Sequence, residues 1–263
     1  MGTLIFTTDP ADPRLDDFRD LSTADRRPDR PGGRGLVVAE GTVVVRRLFS
    51  SAYPVRAVLG VERRIRELEP ELPEVPAYIV PAEVMAEVVG FHLNRGVLAV
   101  ADRASMPTAG EILARSRTVA VLEGVGDHEN LGALFRNAAA LSVGGVLLGA
   151  GCADPLYRRS VRVSMGNVLR VPFAALHPWP SGLDSVAEHG FRTVALTPRA
   201  DAVDLRSLGT GKFALLVGSE GHGLTPGALA AAELAARIPM APGVDSLNVA
   251  TAAAIAFYEL AAR

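Results

Sequence analysis

The stretch Gly218-Ser-Glu-Gly-His-Gly-Leu224 follows an apolar run at 213–217 and stops at Thr225-Pro226. Three glycines around one carboxylate at the end of a buried-looking strand predict a backbone-lined pocket, because glycine lets the chain turn tightly and come close to a ligand. Alone, this is only a glycine-rich turn. Two further stretches accompany it: Asn130-Leu-Gly-Ala-Leu-Phe-Arg-Asn137 upstream, and Ile238-Pro-Met-Ala-Pro-Gly-Val-Asp-Ser-Leu-Asn-Val-Ala250 just downstream. In the upstream stretch Leu131, Leu134, Phe135 and Ala138 recur at helical spacing and predict a buried stripe, with Asn130 and Asn137 together on another face. A buried stripe has no use for Arg136, which is therefore either a surface guanidinium or part of a site.

Around these stretches, strands are expected at 118–123, 145–148, 171–174, 192–197, 213–217 and 236–238, with helices at 130–141, 155–163, 183–189, 227–232 and 247–262. Such alternation predicts a mostly parallel sheet covered on both faces, whose ligands sit beyond the carboxyl ends of its strands. Ser246 reads as the cap of the last helix. Earlier in the chain, strands at 36–39, 55–60 and 77–80 alternate with helices at 42–50, 62–69 and 82–89, the pattern of a small α/β sandwich. The boundary is set at 106–117, dividing an N-terminal region, 1–105, from a C-terminal domain, 118–263. Prolines 10 and 13 disfavour early regular structure; 14–21 predicts a short helix with Leu15 and Phe18 inward, and 23–35 a mobile loop whose only apolar side chain is Ala24.

A hydrophobic content of 49% with 21% charged residues describes an ordinary globular chain and excludes global disorder. The net charge of −2 and pI near 6.2 carry no basic signature of a nucleic-acid partner. Residues 1–105 hold 14 basic against 16 acidic side chains, so any RNA contact must come from local clusters. Lys212 is the only lysine, and nearly every positive charge is a guanidinium, the better planar ligand for phosphate. The single Cys152 excludes an internal disulfide and is expected as a small core residue in a reducing cytosol. The histidines, His92, His128, His177, His189 and His222, show no pair at metal-ligand spacing, so no metal is expected. No run reaches the roughly 18 apolar residues of a membrane span, and the first residues lack the basic start of a signal peptide. A cytoplasmic location is expected. Glu123-Gly-Val-Gly126 after a strand invites a dinucleotide-binding reading, but Gly132 comes too late for G-x-G-x-x-G.

The three stretches, in this order and spacing, resemble the three motifs of the SpoU (TrmH-like) branch of the SPOUT RNA methyltransferases. Cys152-Ala-Asp-Pro-Leu-Tyr-Arg-Arg-Ser-Val-Arg-Val-Ser-Met-Gly166 matches the connector of that family. Glu40-Gly41 with Val45-Arg-Arg-Leu48, then Gly90-Phe91 and Arg95-Gly-Val-Leu-Ala99, looks like its substrate-binding domain, similar to ribosomal protein L30e. Asp127-His-Glu-Asn130 departs slightly, standing where Asp-Pro-Gly-Asn is usual. The resemblance implies an α/β protein with a trefoil-knotted SPOUT catalytic domain and a small L30e-like domain that holds RNA, working as a homodimer. It implies S-adenosylmethionine as cofactor and ribosomal or transfer RNA as substrate, methylated at a ribose 2′-hydroxyl. Arg136, Asn130, Glu220, Ser246 and Asn248 are the catalytic candidates. Thr197, Gly218, Ile238, Met240 and Leu247 are the cofactor candidates; Arg46, Arg47, Arg95, Arg158, Arg159 and Arg162 are the RNA candidates, set against solvated helix faces. The rival expectation is an RNA-binding or ribosome-assembly module of the same fold without turnover. The catalytic set argues against it, because a binding module needs no cofactor pocket beside a reaction-centre arginine.

Overall fold

The computed structural model describes residues 2–19, 21 and 35–261. Apart from Gly35, the loop expected at 23–35 lies outside the described residues. The chain forms two compact units: Met1–Ser105 with Leu156–Arg170, and Met106–Pro155 with Val171–Arg263.

In the first unit, the strands are β1 (Thr3–Phe6), β2 (Val37–Glu40), β3 (Val55–Gly60), β4 (Pro76–Ile79) and β5 (Val97–Ala101), and the helices from 42 to 89 are α1 (Thr42–Phe49), α2 (Glu62–Leu68) and α3 (Ala82–Val89). The sheet order is β1-β4-β3-β5-β2, parallel where β4 pairs β1 and β3, antiparallel where β5 pairs β3 and β2. Two strands escaped the sequence reading. Buried β5 is a continuous apolar run bounded by Gly96 and Asp102, a pattern that carries no alternation. Edge strand β1 lies in the stretch where nearby prolines pointed away from regular structure. The short helix expected at 14–21 is a 3₁₀ turn, Pro13–Phe18, burying Leu15 and Phe18. Both enter a core with Leu59, Tyr78, Met85, Val88 and Leu98.

In the second unit, α4 (Ala109–Arg115) precedes β6 (Thr118–Leu122), α5 (His128–Ala140) and β7 (Gly145–Leu148). The chain then gives α6 (Arg158–Val163), which packs with the first unit, before β8 (Phe173–Ala175), α7 (Leu183–Glu188), β9 (Arg192–Leu196), β10 (Val203–Asp204), β11 (Phe213–Val217), α8 (Pro226–Ala231), β12 (Leu234–Arg237) and α9 (Val249–Ala261). The sheet order is β10-β12-β9-β11-β6-β7-β8, and every pairing is parallel. Parallel strands need both faces covered, which explains the unbroken apolar runs of β6 and β11. The stretch 106–117, set between the domains by sequence, holds α4, started by a Thr108–Glu111 capping box. Its Ile112 and Leu113 lie in the same core as Val121, Leu147, Leu216 and Ala228.

Residues 156–170, which overlap the connector at 152–166 and which the sequence reading assigns to the C-terminal domain, belong to the first unit and lie against its β2 and α1. Gly166 adopts a left-handed φ of 80° where a Cβ would press on Val44 and Arg47.

Candidate active site

Three neighbouring strands, β12, β9 and β11, end side by side, and the residues that follow their carboxyl ends enclose a cavity of about 630 Å³. Thr197 follows β9, Gly218 follows β11 and Ile238 follows β12; each lines the cavity. This is where an open parallel sheet offers a crevice for ligands. The volume falls within the range of small-molecule sites, roughly 300–1,000 Å³.

The glycine loop forms one wall. A Cβ on Gly218 would overlap the backbone of Gly223 and Leu224, so the loop closes on itself only because position 218 has no side chain. Gly221 and Gly223 take left-handed φ angles of 91° and 67°, and Gly223 N donates to Ser219 O at 3.0 Å. The requirement for glycine here is therefore chain closure as much as ligand approach. Leu196, Ile238, Met240 and Leu247 give the cavity apolar surface, while backbone and polar side chains of 218–223 and 246–248 supply the rest. An amphipathic nucleoside cofactor needs both kinds of lining.

Asn248 is the centre of the polar edge. Its Oδ1 accepts from Ala250 N at 3.0 Å and Thr251 N at 3.1 Å, which makes it the cap of α9. This corrects the expectation that Ser246 caps the helix: α9 starts at Val249, two residues later than the sequence suggested, and Ser246 lies on the exposed strap lining the cavity. The Nδ2 of Asn248 donates to Glu220 Oε1 at 2.7 Å and to Asn130 Oδ1 at 2.8 Å. One amide, from the third sequence stretch, thus orients a residue from each of the other two. Asn137, one face with Asn130 on α5, donates to Ala250 O at 2.9 Å and fastens α5 to α9. The buried stripe of α5 is Leu131, Leu134, Phe135 and Ala138, with Phe135 edge-on to Phe173 at 5.6 Å.

Of the residues singled out by sequence, Thr197, Gly218, Glu220, Ile238, Met240, Ser246, Leu247 and Asn248 line the cavity, and Asn130 joins it through Asn248. Arg136 does not line it. Its side chain is exposed on α5 and carries no ion pair among the described residues.

The six arginine candidates all lie in the first unit, and most are occupied there. Arg46 pairs with Glu71 at 2.8 Å and Glu67 at 3.5 Å, and Arg47 donates to Met165 O. Arg158 pairs with the buried Glu40 at 3.3 Å and lies over Phe91 at 4.6 Å; burial pushes its pKa down, against the pull of Glu40. Arg95 approaches the same carboxylate at 3.9 Å. Arg159 is exposed on α6 and Arg162 half-buried there.

Sequence reading missed Arg199, which lines the cavity while bound to Asp201 through two hydrogen bonds, and Glu123, which is buried behind the glycine loop. The signal for Glu123 was a charge at the very end of an apolar run. Among the described residues, no group of three or more His, Cys, Asp or Glu side chains is placed to hold a metal ion, and no helix is long and apolar enough to cross a membrane.

A parallel α/β unit with a glycine-walled cavity at its strand ends, edged by an Asn-Glu-Asn network, defines a cofactor-binding enzyme fold. Residues 117–258 match the SpoU rRNA Methylase family. An uncharacterised tRNA/rRNA methyltransferase of Mycobacterium tuberculosis is 56% identical over 257 residues, 95% of this chain and 89% of the relative. RlmP of Bacillus subtilis, a 23S rRNA (guanosine(2553)-2′-O)-methyltransferase, is 33% identical over 71% of this chain and 73% of its own. Among solved structures, an AdoMet-bound rRNA methyltransferase from Sinorhizobium meliloti has a TM-score of 0.81 at 24% identity, covering 98% of this chain and 97% of that one, a likeness of fold. The chain belongs to the SpoU rRNA methylase family.

Proposed function

We propose that this SpoU-family protein is an RNA methyltransferase that transfers the methyl group of S-adenosylmethionine to a ribose 2′-hydroxyl. The observation that carries the reading is the cavity at the ends of β9, β11 and β12, edged by Asn130, Glu220 and Asn248 in one hydrogen-bonded set. When bound, S-adenosylmethionine supplies a methyl group activated on sulfur. Ile238, Met240 and Leu247 would flank its apolar parts, and Thr197 and the 218–224 backbone its polar ones.

The acceptor hydroxyl is a weak nucleophile and must be oriented as its oxygen takes the methyl group, the C–S bond breaking to leave S-adenosylhomocysteine and the hydroxyl proton passing to water. Arg136 cannot act as a base. Its guanidinium instead clamps a neighbouring phosphate, and through that contact polarises the hydroxyl. Glu220 and Asn248, fixed by their mutual bond, hold the reaction centre with Ser246.

Arg136 stands off the cavity of its own chain, which fits a homodimer whose pocket takes residues from both copies. Ile255 and Tyr258, 41% and 68% exposed on α9, give such a pairing an apolar face. In this reading the second unit holds the SPOUT knot and the first is an L30e-like RNA-holding domain, at work in the cytoplasm.

Labelled methyl transfer to RNA lacking this modification, with wild type beside Arg136→Ala, tests the function. Label in alkali-resistant dinucleotides with wild type only is the expected result. Label recovered on a base would overturn the ribose assignment, and absence of S-adenosylmethionine binding the whole reading.

A further inference from the structure

Glu123 follows the last residue of β6 and is 5% exposed. Its Oε1 accepts from Trp179 Nε1 at 2.6 Å and from Thr225 Oγ1 at 2.8 Å, and its Oε2 accepts from Thr225 N at 2.8 Å. Its own backbone N donates to Val217 O at 3.0 Å. Val217 enters the 218–224 loop and Thr225 leaves it. One residue therefore ties both ends of the cavity wall to the end of β6.

The loop's internal bonds do a different job. The Ser219–Gly223 bridge and the closeness of Gly218 to Gly223 fix the shape of the loop but not its place relative to the ends of β9 and β12. Placement falls to Glu123, and through Thr225, which also accepts from Ala228 N at 3.2 Å, to the start of α8. Among the described residues no guanidinium or ammonium pairs with Glu123. A buried carboxylate held only by neutral donors is costly to desolvate, but as an acceptor it is stronger and more directional than an amide.

We propose that Glu123 is a positioning residue for methyl transfer: it sets where the 218–224 wall stands, and so where Glu220 meets Asn248 and how tightly the cofactor is held. The inference rests on reading the cavity as the S-adenosylmethionine site.

Calorimetric binding of S-adenosylmethionine, with separate KM values for cofactor and RNA, tests it on wild type, Glu123→Gln, Thr225→Val and Thr225→Ser. Glutamine turns one acceptor oxygen into a donor facing another donor. Glu123→Gln and Thr225→Val are each expected to weaken cofactor binding about tenfold, the RNA KM moving less than about twofold. Thr225→Ser, which keeps both hydroxyl bonds, restores the affinity. The Glu123→Gln/Thr225→Val pair binds no more weakly than Glu123→Gln alone, because the two act in one network.

A folded Glu123→Gln protein with wild-type cofactor affinity overturns the proposal, as does equal weakening for cofactor and RNA. Should Glu123→Gln fail to fold, Thr225→Val binding as tightly as wild type overturns it. Wild type that binds no S-adenosylmethionine sinks the functional reading along with it; wild type that binds beside unaffected variants sinks the positioning role alone.

Discussion

Each unit buries a glutamate, and the two are satisfied in opposite ways. Glu40, 6% exposed in the first unit, is neutralised by guanidiniums, Arg158 at 3.3 Å and Arg95 at 3.9 Å. Glu123, 5% exposed in the second, accepts among the described residues only from an indole, a hydroxyl and a backbone N–H. Among the arginines the contrast is narrower and falls on Arg136. Arg46, Arg56, Arg64 and Arg66 of the first unit sit on carboxylates, as do Arg192, Arg199 and Arg206 of the second, whereas Arg136 stands exposed with no ion pair among the described residues. In the first unit charge satisfies the buried carboxylate. In the second, neutral hydrogen bonds satisfy Glu123 and place the loop. An arginine-rich composition is thus no guide to where RNA phosphates are met.

The sharpest way to break this contrast is Arg136→Ala. If its free guanidinium serves chemistry, methyl transfer falls about a thousandfold, on the scale of about 4 kcal/mol, while filter-binding affinity for RNA holds within about threefold. Next in size is Glu40→Ala, which strands Arg158 half-buried beside Phe91. Removing one partner of a buried pair is expected to cost about 3 kcal/mol, read as a lower urea midpoint. A stability unchanged by Glu40→Ala would dissolve the distinction between the two glutamates.

A smaller effect separates the two duties of Asn248. Asn248→Asp keeps an oxygen to cap α9 but sets a carboxylate against Glu220. Thermal stability should fall by about 1 kcal/mol or less, while transfer drops about tenfold. Equal losses in both would make Asn248 a cap and nothing more. Smallest of all, Arg46→Gln breaks an exposed pair with Glu71 and should cost less than about 1 kcal/mol. If Arg46 is held by Glu71 and Glu67 when RNA binds, the salt dependence of RNA affinity is unchanged by this substitution. A shallower salt slope would return Arg46 to the RNA surface.

Much of the second unit was legible because its signals are local. The unbroken apolar run of β11, the stripe of α5 and the glycines at 218, 221 and 223 each express a demand met within a few residues. What escaped the reading was β1, close to the prolines at 10 and 13, β5, a short apolar run of a kind that strands share with buried helix segments, β10, only two residues long, and the start of α9, where two polar residues two positions apart competed for one cap. The first unit was less legible as a site, since Arg46, Arg47 and Arg158 look alike in sequence whether they face solvent or a carboxylate.

The sequence by itself determined the alternating α/β order, the three motifs and through them the family, because periodicity and glycine geometry are written into neighbouring residues. The tertiary structure alone decided that Arg158 meets Glu40 and Asn248 meets Asn130, each across 118 positions, and that Thr225 meets Glu123 across 102. Such partners are chosen by how strands and helices stack, and no local pattern records which distant donor will face a buried carboxylate.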